Sequence, residues 1–416
     1  MDIKKIFFAS LLFSVMFSSL GWAEFSLTPT ITVREEYNDN IYLERDKEYD
    51  YITYVQPSLI MEWETKLATL NLNFGLDYEK YARNSSEDEL RPSHGSQMKS
   101  TFNLYHDKLL LDVSDNYDRV PIDDAKKGAV GNTLVNLTDR NCFVLNPYLL
   151  LEPMRNMQAR FDYKYENVWY EDDDGDDAET HNYLVTLTQQ ITGRLSADLS
   201  GGFTQYRPKN TSKSVLDASG AEQYDRKNVN LGFLWQVNEL LSLRANCGYS
   251  WLNYDFSTDY DAWQYGAQAD YQMTRVWSAG FVYQDDISAS VDDGARDQQK
   301  YSAYFAYADR SKIKITFFTT RDDYLEIDRL DESWGGTVNG EVPITNKKGI
   351  TWLANYTDFS EGHIQDYQRY GGRIELYQQM RLGRMSLGYT YNRNNSDIAD
   401  NDYINNIVLI KVTLTW

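Results

Sequence analysis

From Phe25 to the terminal Trp416 the chain repeats one pattern: a stretch of about ten residues in which apolar and polar side chains alternate, followed by a break. A period of two belongs to extended strands, because successive side chains point to opposite faces. Leu70, Leu72, Phe74, Leu76 and Tyr78 interleave with Asn71, Asn73, Gly75, Asp77 and Glu79. The same holds for Ala159, Phe161, Tyr163 and Tyr165 against Arg160, Asp162, Lys164 and Glu166, and for Val229, Leu231, Phe233 and Trp235 against Asn228, Asn230 and Gly232. One face of each strand is therefore apolar and the other wet. A soluble sandwich alternates too, but at this number of strands it should contain strands buried on both faces, or helices covering the sheet.

The breaks alternate in length. Short ones fall near 64–66, 106–108, 154–156, 192–194, 275–276, 346–348 and 382–383; longer polar ones fall between them, at 44–49, 84–93, 119–134, 171–180, 208–222, 288–298 and 394–401. Short periplasmic turns alternating with longer outside loops are the mark of an up-and-down membrane barrel. The sequence thus predicts an all-β, antiparallel, transmembrane up-and-down barrel of about twenty strands, with eighteen as the alternative count and both termini periplasmic. Trp63, Trp235, Trp277 and Trp352 lie near short turns, and Tyr37, Tyr78, Tyr117, Tyr165 and Tyr254 near long loops, so two interfacial aromatic girdles are expected.

Met1 to Ala23 has the layout of a secretory leader, with Lys4 and Lys5, an apolar stretch from Ile6 to Leu20, and Gly21 and Ala23 around Trp22. Cleavage before Glu24 is expected, leaving 24–416 as a single barrel domain. The apolar stretch is shorter than the ~20 residues a spanning helix needs, and no later window approaches that length, in keeping with a mean hydropathy of −0.59. The 33 Tyr, 17 Phe and 10 Trp against only 8 Pro favour strands. A net charge of −21 excludes nucleic acid as a partner. Cys142 and Cys247 each fall in mid-strand and are read as ordinary small side chains. The last strand, with Ile404, Val408, Ile410, Val412, Leu414 and Trp416 on one face, resembles the sorting signal by which outer-membrane barrels are recognised by their assembly machinery, with Trp in place of the commoner Phe.

The opening segment, Leu27-Thr28-Pro29-Thr30-Ile31-Thr32-Val33, then Glu36 to Tyr42, Asp50-Tyr51-Ile52 and Pro57-Ser58-Leu59, resembles that of a family of outer-membrane β-barrel porins. Some members accompany exopolysaccharide biosynthesis and export genes. The rest of the chain agrees with that family in strand rhythm rather than in letters. The resemblance implies a barrel in the outer membrane of a Gram-negative bacterium and a role in glycan export; it supplies no catalytic residues.

Projected from the alternation, the inward positions include Arg34, Glu36, Glu62, Asp77, Glu79, Lys99, Asp112, Arg160, Asp162, Lys164, Glu166, Asp198, Arg226, Arg244, Asp270, Lys300, Lys314, Glu341, Arg373 and Glu375. Such a mixed-charge wall either lines a selective pore or pairs across neighbouring strands to hold the wall together. Tyr304, Phe318 and Tyr377 also project inward, as lumen packing or as a slide for sugars. Arg119 to Leu134 and Pro208 to Glu222 are the candidates for loops folded into the lumen, with external loops as the plainer reading. The acidic run from Glu171 to Asp177 fails the EF-hand spacing and reads as a solvated loop, with cation bridging to lipopolysaccharide phosphates as the sharper alternative. His94, His106, His181 and His363 fall at strand ends or loops, and no motif joins one to a nucleophile and an orienting carboxylate.

The chain is accordingly expected to be no enzyme and to need no cofactor or metal. Its expected partners are outer-membrane lipid and lipopolysaccharide, the barrel assembly machinery, and a polysaccharide or small polar solute. Its expected function is a passive channel or export conduit. The alternatives are a loop-plugged docking barrel of a polysaccharide-export assembly and a surface hydrolase.

Overall fold

The computed structural model describes residues 24–122, 128–171, 177–209, 223–255, 258–289, 295–325, 329–362 and 365–416; the expected leader, most of the acidic run and His363 lie outside them. The strands are β1 (Glu24–Asn38), β2 (Asp50–Glu64), β3 (Ala68–Tyr81), β4 (Glu89–Pro92), β5 (Ser96–Tyr105), β6 (Leu109–Pro121), β7 (Leu137–Met154), β8 (Met157–Tyr170), β9 (Ala178–Thr192) and β10 (Leu195–Pro208). They continue as β11 (Tyr224–Gln236), β12 (Leu241–Tyr254), β13 (Tyr260–Gln272), β14 (Trp277–Ala289), β15 (Ala295–Ala308), β16 (Lys312–Tyr324), β17 (Arg329–Thr345), β18 (Lys348–Glu361), β19 (Gln365–Met380), β20 (Gly383–Ser396) and β21 (Tyr403–Thr415).

Pairing is antiparallel throughout, and β21 returns to β1 from Thr30↔Thr415 to Asn38↔Ile407, which closes the sheet. Closure leaves no open edge across the wall, so the backbone polar groups there find partners without water, as a hydrocarbon environment requires; β4, at the long-loop end, pairs with β3 alone. β4 pairs with the upper part of β3 (Leu76 to Glu79) and β5 with the lower part (Ala68 to Asn73). The twenty-one segments therefore fill twenty positions in the wall. At ~4.8 Å between strands and a tilt of roughly 40°, twenty strands give a circumference of about 125 Å and a diameter of about 40 Å, too wide for wall side chains alone to fill.

The register separates two faces without ambiguity. Leu199 lies beside Leu187 and Leu231 on the outer face, while the next residue, Ser200, lies beside Thr186 and Asn230 on the inner one. Large apolar side chains are exposed all along the outer row, among them Phe74, Phe161, Val185, Leu231, Phe281, Phe317, Leu387 and Ile410. Such an unbroken apolar exterior is tolerable only against lipid or another apolar surface. Glu24, Trp416 and the short turns share one end of the barrel, and the longer connections share the other.

The outer girdle at the long-loop end differs from its expected make-up in one member. Tyr37 and Tyr51 meet there at a tilt, 5.2 Å between ring centres, and Trp263 joins Tyr249 at 5.1 Å. Tyr254, however, shares the inner face with Leu252 and packs with it and Ile287, away from the girdle. Cys142, half-buried, and Cys247, exposed on the outer row, are both free thiols.

Candidate functional site

The expected candidate site is the lumen, and its most informative part is a connection that folds into it. Between β6 and β7 the chain leaves the wall after Ile122, whose amide donates to the Asn136 carbonyl at 3.2 Å, and residues 128–136 form a strap along the inner wall of β1–β3 and β19–β21. Asn132 shapes its turn, accepting from the Leu134 and Val135 amides and donating to the Val135 carbonyl. Asn392 of β20 clamps the strap twice, accepting from Val130 N–H and donating to Val130 C=O, both at 3.0 Å. Tyr403 of β21 donates to the Gly128 carbonyl. Leu134 packs on the cluster of Ile41, Ile52, Tyr54 and Tyr81. Gly131, at φ +84°, adopts a conformation that disfavours other residues, and a Cβ there would overlap the Arg373 guanidinium. The inward course of 128–134 thus replaces the external-loop reading for this part of 119–134; the segment 210–222 of the second candidate loop lies outside the described residues.

Beneath the strap the wall is knitted by amides. Asn405 donates to Asn38 at 2.6 Å and to the Asn40 carbonyl at 3.0 Å, and Asn392 donates to Asn405 at 3.1 Å. Asn40, Asn392 and Asn405 are at most 2% exposed, so each lost partner would leave a desolvated polar group. Replacing Asn405 by Ala should therefore loosen the strap, seen as faster protease nicking at 128–136 with the barrel itself intact; unchanged protection would show that the network does not hold it.

The register puts all the projected charged residues on the inner face, and most of them are engaged there. Arg34 lies 3.6 Å from Glu36 and 3.6 Å above the Tyr54 ring. Glu79 pairs with Arg91, and Asp77 accepts from Gln56 at 3.0 Å. Glu62 accepts from Ser26, and Asp112 from Thr101. Arg160 and Asp162 pair at 2.6 Å, Lys164 and Glu166 at 2.5 Å, Arg226 and Asp286 at 2.9 Å, and Lys411 and Glu375 at 3.4 Å. Glu341 accepts from Tyr377, Asp270 from Tyr304, and Arg373 donates to Thr390. Lys99, Asp198, Arg244 and Lys300 show no such bond among the described residues, and Lys314 only overlies Tyr304 at 5.0 Å. Pairing within a strand (Arg34–Glu36, Arg160–Asp162, Lys164–Glu166) and pairing across strands together engage most of the projected charges, leaving Lys99, Arg244, Lys300 and Lys314, with Asp198, facing the lumen.

At the long-loop rim Asp331 lies three residues beyond Trp334, above the girdle. Burial pushes its carboxyl up to about 6, against the opposing effect of Arg329 at 3.2 Å and helped by Glu361. A carboxyl raised in the folded state favours folding while it is protonated, and that contribution is lost as the pH rises through about 6. On the other side of the same rim Glu89, Asp139 and Glu171 converge, and Arg91 and Arg119 supply their counter-charge.

The three described histidines are dispersed. His94 pairs with Asp118 at 2.6 Å, His181 bonds the Tyr163 hydroxyl on the outer face, and His106 occupies a tight turn at φ +46°. Among the described residues no hydroxyl or thiol completes a triad with the His94 pair.

No protein-family model and no curated protein matches the chain. Solved structures do. The siderophore receptor PirA from Pseudomonas aeruginosa superposes with a TM-score of 0.50 at 8% identity, over 93% of this chain and 80% of that one. The fold is that of outer-membrane β-barrels. The FrpB iron transporter from Neisseria meningitidis (F3-3 variant) aligns over 97% of this chain and 83% of its own, with a TM-score of 0.47 and 9% identity. OccAB3 of Acinetobacter baumannii aligns over 94% and 100%, with a TM-score of 0.41 and 9% identity.

Proposed function

We propose that the chain is a passive conduit in the outer membrane of a Gram-negative bacterium, its lumen passing a polar solute or an exported polysaccharide, and that it catalyses no reaction. The observation that carries this reading is the exposure of inward polar side chains away from the strap: Arg244, Asn246, Gln284, Lys300 and Lys314 face the lumen and are open to solvent. Water reaching the inner wall of a wide closed barrel makes a pore. The projected charged residues then act as pore lining, and their pairing predicts weak preference between anions and cations. Lipid and lipopolysaccharide contact the outer rows, and the assembly machinery reads the last strand. The wide scatter of the three described histidines supports this reading.

Purified protein in planar bilayers should give discrete conductance steps with reversal potentials near zero in a salt gradient. A folded barrel that never conducts would overturn the conduit. That outcome would favour the docking barrel, for which the burial of Tyr54, Tyr81 and Tyr403 under the strap speaks.

A further inference from the structure

The inner wall from β10 round to β19 is built to be flat. Inward glycines recur on adjacent strands, and in each case a neighbouring side chain lies in the space a Cβ would need: Asn228 over Gly202, Asn230 over Gly248, and Asn246 over Gly266. The device continues with rings, as Tyr304 lies over Gly280, Phe318 over Gly335 and Tyr377 over Gly349. Glycine inside a strand marks close approach by another group. Here the approaching groups are amides and aromatic rings laid along the wall rather than pointing across the lumen. Over β11–β14 the result is a trough of about 370 Å³ floored by these amides and by Gln268 and Gln284.

Part of the trough's lining is already engaged, Arg226 and Gln264 by Asp286 and Gln268 by Asp270. The side chains of Asn228, Asn230, Asn246 and Gln284 make no hydrogen bond among the described residues, and Arg244 has no ion pair there. Tyr304 is fixed in place by its hydroxyl, which donates to Asp270 at 2.8 Å, so its ring is held flat. Lys314 Nζ overlies that ring at 5.0 Å and has to swing aside for a sugar to stack on it, and Lys300 lies in the same cross-strand row as Gln284, Gly266 and Asn246. Free amides donate to and accept from hydroxyls, a fixed ring face suits the C–H face of a pyranose, and lone guanidinium and ammonium groups suit carboxylates. Arg244 and Lys300 are three strands apart, about 14 Å, so a ligand meeting both is longer than a single sugar.

The geometry points to a binding track for an acidic oligosaccharide or polysaccharide, with Arg244 and Lys300 holding carboxylates, Asn246 and Gln284 holding hydroxyls, and Tyr304 as the stacking platform. This inference rests on the conduit reading and names the class of its cargo. It is tested with full-length protein in planar bilayers, adding a hexameric oligouronate or, for comparison, maltohexaose, and recording current block. Calorimetry in detergent with the same two probes reads binding independently of conduction, and heat-modifiable migration verifies that each variant is folded.

The oligouronate should block with residence times longer than those of maltohexaose. Arg244→Gln should shorten that residence about tenfold, the loss of one charge-assisted hydrogen bond. Tyr304→Ala should shorten residence several-fold for both probes. Equal block by the two probes with no effect of Arg244→Gln overturns the acidic assignment. A barrel that conducts but is neither blocked nor bound by either probe overturns the track and leaves the conduit standing. A barrel that binds the oligouronate in calorimetry without conducting supports the track and removes the conduit.

Discussion

Replacing residues 123–135 by an Asn-Gly turn should raise single-channel conductance roughly twofold or more, since ion flow scales with the open cross-section of a wetted pore. The splice is compatible with the fold. Pro121 already pairs with Leu137, and Ile122 N–H already reaches the Asn136 carbonyl, so a two-residue hairpin can join the strand ends. What disappears is the strap: both Asn392 bonds to Val130, the Tyr403 bond to Gly128, and Leu134 from its cluster. The strand ladders of β1–β3 and β19–β21 do not depend on those contacts, so folding should survive. The newly uncovered groups, Asn392 and the hydroxyls of Tyr54, Tyr81 and Tyr403, are polar and would be met by water. Conductance equal to that of the intact protein, in a variant shown to be folded, would mean that the strap lies outside the path that limits flow.

The wall was legible in the sequence because lipid on one side and water on the other write a period of two that side-chain chemistry alone reveals. The same period, carried consistently, would also have placed Tyr254 correctly. Counting on from Tyr249 and Trp251 on the outer row puts Asn253 outside and Tyr254 inside, whereas nearness to a long loop suggested the girdle. The turn at 237–240 is hidden because Leu240 and Leu241 continue a strand-like composition through the break, whereas the polar run Asp309-Arg310-Ser311 does leave a trace of the turn at 309–311. The split of β4 from β5 does leave a trace in Pro92 and Gly95, the latter at φ +79°.

The strap is another matter. Its partners lie 262 residues away at Asn392 and 275 away at Tyr403, and nothing local in 128–136 announces which wall it will meet. The available signal was compositional: a run of small residues, Gly128-Ala129-Val130-Gly131, facing a C-terminal region rich in inward asparagine, at Asn392, Asn394 and Asn405. The flattening of the inner wall is equally non-local. Tyr304, Phe318 and Tyr377 are visible as inward aromatics, but that each lies down on a glycine depends on the register between strands.

Substituting Arg for Leu199 should block productive insertion or destabilise the barrel by about 2–4 kcal/mol, whereas Arg in place of the adjacent Ser200 should cost well under half of that. The two positions share a strand, a depth and a backbone conformation, and differ in which side of the wall they face. Leu199 is 48% exposed and sits between Leu187 and Leu231 in the apolar row, so a guanidinium there would have to be desolvated in hydrocarbon or deform the bilayer to reach water. Ser200 sits between Thr186 and Asn230, where a guanidinium keeps its hydration and has amide and hydroxyl neighbours. Urea titrations of folding into phospholipid vesicles, read by heat-modifiable migration, measure both variants on one scale. In a protein whose apolar row faced water the order would invert or vanish, because Arg on an aqueous surface is nearly neutral and Arg inside a packed core is not. Equal tolerance of the two substitutions would thus exclude lipid as the solvent of the outer face, and with it the membrane location on which the conduit depends.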